Sequence, residues 1–293
     1  MDAITTRGLT KIFPGKRGTE LVALDRLDLK IAKGEAFGFL GPNGAGKSTT
    51  IKLLMGLIKP TTGSGSIGGI DMTHWQARAR VGYLPENPSF YEYLNAEEYL
   101  AFVGSFFQMP AAEIHSRAEA ILKRLTLWEA RKRPLRSYSK GMVQRLGLAQ
   151  VLLHNPDIFI LDEPMSGLDP LGRALVKEII RELKEAGKCI FFSTHITSDV
   201  EAVCDRVGII LNGRLRTVEN VETIMANGIT GYHIRYRRPS AEVLQETSAK
   251  KEQLPEILAQ LHLAGDEIVL LEPQRKDLEK FFLEIVQQNN DAN

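Results

Sequence analysis

The hydrophobic pattern changes character several times along the chain. From Ile4 to Ile31 apolar and polar residues alternate in places, as in Leu27-Asp28-Leu29-Lys30-Ile31. A period of two predicts antiparallel strands with one buried face. Ala36 to Leu40 is a short continuous apolar run that leads straight into glycines. Asp157 to Leu161, Cys189 to Ser193 and Val207 to Leu211 are runs of the same kind. Such runs predict strands covered on both faces. Helical patterns separate them, notably Thr49 to Leu57, Leu171 to Ala186 and Thr197 to Cys204. Strands alternating with helices predict an α/β core around a mainly parallel sheet.

Between about Asn95 and His154 the strand runs disappear and Ala, Leu, Glu, Arg and Lys dominate, which predicts a helical insertion, bounded at about residues 88–155. After about Glu219 the pattern changes again. Tyr232-His233-Ile234-Arg235-Tyr236 and Ile268 to Leu271 read as strands. Lys251 to Leu263 reads as a helix with Pro255 near its first turn. Lys276 to Gln287 reads as an amphipathic helix with Leu278, Phe281, Phe282 and Ile285 on one side. The expected organisation is a large domain over residues 1–218 and a small C-terminal α/β appendage over 219–293. A length of 293 residues accommodates that division at about 150 residues per ordinary domain. No short-period repeat appears.

Composition adds a boundary. The net charge of +1 conceals an appendage with 8 basic and 13 acidic residues and a remainder with 29 and 23. A hydrophobic fraction of 43% and a charged fraction of 25% exclude a disordered chain. The longest stretch without a charge, Tyr99 to Ala112, has 14 residues and includes Ser105, Gln108 and Pro110. A spanning helix needs about 20 mostly apolar residues, so no segment is expected to cross a membrane alone. Met1 to Gly18 lacks the apolar core of a signal peptide. Cys189 and Cys204 are too few for a disulfide framework and suit a reducing cytoplasm.

Two strings carry chemistry. Gly41-Pro42-Asn43-Gly44-Ala45-Gly46-Lys47-Ser48 matches G-x-x-x-x-G-K-[ST] between a predicted strand and the helix opening at Thr49. Its glycines let backbone N–H groups turn inward around phosphates, and the helix N-terminus adds partial positive charge. Lys47 supplies a point charge, and the Ser48 hydroxyl suits Mg²⁺. The expected phosphate-binding set is Gly41, Pro42, Asn43, Gly44, Ala45, Gly46, Lys47, Ser48 and Thr49. The second string is Ile158-Phe159-Ile160-Leu161-Asp162-Glu163, an apolar strand that delivers two carboxylates to its C-terminal end, where open α/β sheets bind ligands. Asp162 is expected to hold the metal through water and Glu163 to polarise an attacking water. Together the strings predict a nucleotide-hydrolysing protein.

Tyr138-Ser139-Lys140-Gly141-Met142, followed by Gln144-Arg145, narrows the class. Ser139 lies 92 residues after Lys47 and shortly before the acidic strand. Here the chain resembles the ATP-binding subunit of an ABC transporter, in motif order and spacing, over roughly Ile4 to Arg216. The resemblance implies a P-loop ABC ATPase core with an antiparallel β subdomain, with ATP and Mg²⁺ as cofactors. It implies that Ser139 and Gly141 form the signature that faces the γ-phosphate held by a second copy, the two packing head to tail. Ser166-Gly167-Leu168-Asp169 is similar to the loop that signals across that dimer, and His195 to the switch histidine. Phe13, in Leu9-Thr10-Lys11-Ile12-Phe13, matches the aromatic that stacks on adenine.

Two departures stand out. Glu86, in Tyr83-Leu84-Pro85-Glu86, replaces the family's glutamine and brings a full charge toward the metal or its water. Lys140-Gly141-Met142 replaces Gly-Gly-Gln, and Tyr138 replaces Leu. These features resemble a branch of bacterial subunits that pair with a separate helical export permease. That branch tends to end in a Leu-Glu-x-x-Phe pattern, and Leu278-Glu279-Lys280-Phe281-Phe282 is similar. The expected location is therefore the cytoplasmic face of the membrane, peripheral through the permease.

The cluster Lys123, Arg124, Arg131, Lys132, Arg133, Arg136, Lys140 and Arg145 has no interleaved aromatics for base stacking and is read as a solvated helical face, with no nucleic-acid partner. Phe90-Tyr91-Glu92-Tyr93-Leu94 either lines the permease groove or packs inside the insertion. The alternative function is a soluble ABC-type ATPase acting on DNA or in assembly, against which stand the short spacing from Lys47 to Ser139 and the absence of sustained heptads. The appendage is left with three roles: dimer support, regulation of turnover, or packing.

Overall fold

The N-terminal alternation folds as a twisted hairpin. The structure, a computed structural model, describes residues 2–15, 18–226, 229–238, 243–275 and 277–291. β1 (Asp2–Pro14) pairs antiparallel with β2 (Glu20–Ala32), with Thr5 opposite Lys30 and Phe13 opposite Leu21. Leu27, Leu29 and Ile31 are buried, while Asp28 and Lys30 between them are exposed, as a two-residue period requires. The chain divides into two compact units, Met1–Val218 and Glu219–Asn293.

In the first unit β3 (Ala36–Leu40) runs into the glycine loop and α1 (Lys47–Leu54). β4 (Thr62–Ile67) and β5 (Ile70–Asp71) complete a four-stranded sheet in the order β2-β1-β4-β5. β6 (Val81–Leu84) precedes three helices, α2 (Ala96–Phe106), α3 (Ala111–Arg124) and α4 (Lys140–Leu153). Then follow β7 (Ile158–Asp162), α5 (Pro170–Glu185), β8 (Cys189–Thr194), α6 (Thr197–Val203), β9 (Arg206–Leu211) and β10 (Arg214–Asn220). The second sheet has the order β10-β9-β3-β8-β7-β6, and β9, β3, β8, β7 and β6 pair in parallel. All residues of β3, β7 and β8 are buried. Phe37, Phe39 and Phe191 pack ring to ring within 5.4–6.1 Å. Burial on both faces explains the unbroken apolar runs and contributes about 1.5–3 kcal/mol per large side chain. Parallel pairing also puts the C-terminal ends of β3, β6, β7 and β8, and so Gly41, Glu86, Glu163 and His195, on one edge of the sheet.

The helices start where local chemistry dictates. Asn95 caps α2 by accepting from Glu98 N at 3.0 Å, and Glu98 reaches back to Asn95 N at 2.9 Å. Asp169 caps α5 by accepting from Gly172 N at 2.8 Å, with Pro170 in the first turn. Ile114, Ala118 and Leu122 form the buried stripe of α3. A Cβ on Gly104 would sit 2.6 Å from Ile114, so glycine is what lets α2 and α3 close. Within the basic cluster, Lys123, Arg124 and Arg131 pair with Glu119, Glu182 and Glu97, and the Arg131 guanidinium lies 3.8 Å from the Trp128 ring centre. Among the described residues no helix is long and apolar enough to cross a membrane.

The second unit comprises α7 (Val221–Ala226), β11 (Ile229–Arg237), β12 (Gln245–Lys250), α8 (Leu254–Leu263), β13 (Glu267–Arg275) and α9 (Leu278–Asp291). Its antiparallel sheet has the order β12-β11-β13. Ile234, Tyr236, Ala249 and Leu261 form its core, with Leu254, Ile257 and Leu258 packed against them. This corrects the expected two-strand appendage. β12 reads Gln-Glu-Thr-Ser-Ala-Lys and buries only Ala249, so it shows no apolar alternation. The expected start of the last helix, Lys276, lies outside the described residues, and the helix begins at Leu278.

Candidate functional site

The loop after β3 is packed as tightly as its glycines permit. A Cβ on Gly41 would lie 2.4 Å from Ile210 O. One on Gly46, whose φ is +109, would lie 2.7 Å from Ala23 O. Any side chain at either position would push the loop off the sheet. The turn delivers Lys47 to the start of α1, where its buried ammonium donates to Gly41 O at 2.7 Å and Pro42 O at 3.3 Å and stands 3.5 Å from Glu163 Oε1. Placed between two carbonyls and a carboxylate, this charge is held at the mouth of the loop.

β7 and β8 supply the acidic side. Asp162 is opposite Ser193 in the parallel register, and Ser193 Oγ donates to Asp162 Oδ1 at 2.5 Å. The same hydroxyl accepts from Glu163 N at 3.1 Å. Glu163 adopts φ +49, left-handed backbone that a glutamate rarely takes. Its peptide is held from both sides: Ser193 takes its N–H, and Gln144 Nε2 donates to its carbonyl at 3.3 Å. The Glu163 carboxylate is buried and lies 3.0 Å, through both oxygens, from Nδ1 of the half-exposed His195. Burial, together with the negative charge of Asp162, raises the Tyr83 phenol above its usual pKa.

A cleft of about 260 Å³ gathers these groups. Pro42, Asn43, Gly44, Gly46, Lys47, Ser48, Thr49, Glu86 and Glu163 line it, together with Ala23. Asp162 precedes Glu163 as the last residue of β7, and Gly41 and Ala45 are the buried residues of the loop that the cleft does not reach. Phe13 is not among the lining residues: it is half-buried on β1, with Lys11 Nζ 4.9 Å from its ring centre. Ser139 and Gly141 are also absent from the lining. They open α4, where Ser139 Oγ accepts from Met142 N at 3.3 Å. A larger cavity, about 600 Å³, is lined by Ala3, Ile67, Ala77, Ile158 and Cys189 among others and holds none of the expected site residues.

The donor set suits a phosphate-bound cation. Ser48, Asp162 and Glu86 offer hard oxygen atoms, the preference of Mg²⁺, which keeps waters and shares phosphate oxygens. Among the described residues no group of three or more His, Cys, Asp or Glu forms a metal cage. Two contributors were given no role by the motif reading, Ser193 and Gln144. Both are buried polar side chains beside apolar runs, and Ser193 and Thr194 end an otherwise apolar strand next to an acidic one.

Comparison with known proteins agrees with this geometry. A family model described as ABC transporter matches residues 24–166. An uncharacterized ABC transporter ATP-binding protein of Nostoc sp. is 40% identical over 286 residues, covering 92% of this chain and 85% of its own. An ABC transporter ATP-binding protein of Bacillus subtilis is 34% identical over 297 residues, covering 96% of each. A solved dimeric ATP-binding cassette, in a post-hydrolysis state bound to ADP and Pi, matches with a TM-score of 0.69 at 25% identity, covering 74% of this chain and 98% of that one. These likenesses join the phosphate loop, the acidic strand and the mixed sheet into one assignment: the chain belongs to the ABC transporter family, as an ATP-binding subunit.

Proposed function

We propose that this subunit hydrolyses ATP with Glu163 as general base and drives export through a separate transmembrane permease. The observation that carries the reading is the placement of Glu163, buried between Lys47 and His195 at the edge of the phosphate loop. The loop from Gly41 to Thr49 cradles the phosphates through its backbone N–H groups, and Lys47 balances the terminal phosphate charge. Ser48, Asp162 through water, and Glu86 would hold Mg²⁺, which would supply neutralisation of phosphate charge. Glu163 accepts a proton from the attacking water as its oxygen approaches the γ-phosphorus. His195 fixes the Glu163 carboxylate by donating from Nδ1. Catalysis of this kind is positioning and electrostatics.

Ser139 and Gly141 begin α4 outside this cleft, which suits an anion site completed by a second copy packed head to tail. Phe13 serves as the adenine contact. Tyr91 and Tyr93 are exposed, and Tyr91, Phe102 and Phe106 continue the surface through ring contacts of 4.8–5.7 Å. A contiguous exposed aromatic patch fits a permease segment. The subunit then sits at the cytoplasmic face of the membrane, peripheral through that partner. The lean to export rests on Glu86 and on the Lys140-Gly141-Met142 signature.

The test is ATP-dependent association. Glu163→Gln protein incubated with ATP and Mg²⁺ is expected to shift from monomer to dimer in light scattering. Ser139→Arg in the same background is expected to remain monomeric. A mass unchanged by ATP, or a dimer indifferent to Ser139, overturns the head-to-tail reading. Recovery of the tagged subunit from membranes with a polytopic protein tests the permease.

A further inference from the structure

One side of α4 touches three separate segments of the site. Gly141, Gln144, Gly147 and Val151 recur at intervals of three, three and four residues, so they stack along one helix face. At the first position a Cβ on Gly141 would lie 3.6 Å from Gly167 O and 3.7 Å from Leu168. One turn later Gln144 Nε2 donates to Glu163 O at 3.3 Å and to Pro164 O at 3.2 Å. At the third position a Cβ on Gly147 would meet Leu84 at 2.6 Å and Pro88 at 3.3 Å, two residues before and two after Glu86. At the fourth, Val151 fills the space a Cβ on Gly82 of β6 would need, 2.5 Å away. The helix that opens at Ser139 therefore lies against the Gly167 loop, the Glu163 turn and the Glu86 turn of its own chain.

Gln144 is the only polar side chain in that row, and it is buried. A buried amide is costly unless its donors are satisfied. Here its Nε2 serves two consecutive carbonyls, at the one residue of the acidic strand end with left-handed backbone. Such a conformation persists only where the surroundings hold it. Ser193 holds the N–H side of Glu163 from β8, and Gln144 holds the C=O side from α4.

We infer that Gln144 is a positioning residue for hydrolysis, tying the backbone of Glu163 to the helix that begins at the signature. The inference rests on Glu163 acting as general base. Any displacement of α4 at Ser139 is passed through this side chain to the Glu163 turn, and from there to its carboxylate. Gln144 touches neither the nucleotide loop nor Lys47 by any hydrogen bond described, so its contribution falls on turnover and not on nucleotide affinity.

The experiment uses the full chain in four forms: unaltered, Gln144→Met, Glu163→Gln and the double variant. Methionine keeps the length of glutamine and removes both donors. Steady-state kcat and KM are measured together with ATP affinity. The expected result for Gln144→Met is a fall in kcat of about 10–10²-fold, the scale of a small misplacement of a catalytic group, with KM and affinity within about twofold. In the Glu163→Gln background Gln144→Met is expected to change residual turnover less than about twofold, because residues acting as one unit are not additive. A merely structural role predicts additive losses and weaker ATP binding, and either overturns the inference. Gln144→Asn, which withdraws the amide by one methylene, is measured in parallel, and its thermal melting and nucleotide binding report on folding. Unchanged kcat in both variants beside a crippled Glu163→Gln removes the role of Gln144 alone. Normal turnover in Glu163→Gln removes the general base as well.

Discussion

His195 Nδ1 stands 3.0 Å from each carboxylate oxygen of Glu163. A carboxylate acting as general base only accepts, so in that role Nδ1 donates the hydrogen of this contact. The contact joins the residue after β8 to the residue after β7, across adjacent parallel strands. Removing the ring frees the carboxylate to rotate without disturbing the phosphate loop. His195→Ala is expected to lower kcat by about 10–10²-fold while ATP affinity holds. Phosphate-release kinetics beside a fluorescent-nucleotide titration check this, and a loss of affinity with kcat intact contradicts it.

Lys47 has the opposite signature. Its ammonium is buried against Gly41 O, Pro42 O and Glu163, and it is the cation that lines the cleft. Lys47→Ala removes that cation and leaves the Glu163 carboxylate facing the phosphates unbalanced. Nucleotide affinity measured by calorimetry is expected to fall by at least about tenfold, the scale of one lost charge-assisted contact. Unchanged affinity refutes the role of the loop.

Motifs built from one local stretch were legible in the sequence, and contacts made across strands were not. Gly41 to Ser48 announces itself because a tight phosphate turn needs glycine at fixed offsets, and the strand before it and helix after it agree. Asp162-Glu163 is visible as acid at the end of an apolar run. The bond from Ser193 to Asp162 depends on the register of β7 against β8, and no short string encodes it. Nor does a glutamate advertise φ +49, since that backbone is imposed by Ser193 and Gln144 from distant segments. β12 went unseen because an edge strand of a small sheet buries one alanine. The aromatics at 90–94 split: Phe90 packs on Tyr99 at 4.7 Å, while Tyr91 and Tyr93 face outward.

Ser193 serves two masters, donating to Asp162 and accepting from Glu163 N. Ser193→Ala leaves the buried Asp162 carboxylate short of a donor, while the Glu163 N–H keeps the backbone carbonyl of residue 193 at 3.2 Å. The expected cost is about 1–3 kcal/mol of stability, together with a reduced kcat. Denaturant unfolding reads the first and ATPase assay the second. A variant as stable and as active as the unaltered protein contradicts the clamp.

His154 gives a pH dependence. Burial depresses its imidazole pKa, and its ring stacks on Phe107 at 3.8 Å. The unfolded chain takes up this proton at about pH 6.5, whereas the folded chain does so only at lower pH. Stability from the neutral ring is present above that value and is lost as pH falls through the folded pKa. Melting temperatures between pH 7.5 and 5.5 are expected to fall, and to fall less steeply in His154→Phe. Equal slopes in the two proteins remove His154 as the cause.

The most direct measurement is ATP turnover and ATP binding in Glu163→Gln. The substitution keeps size and shape and removes the proton acceptor. The expected result is turnover lower by about 10²–10⁴-fold, the usual worth of a general base, with ATP affinity retained. Near-normal hydrolysis in that variant contradicts the assignment of Glu163.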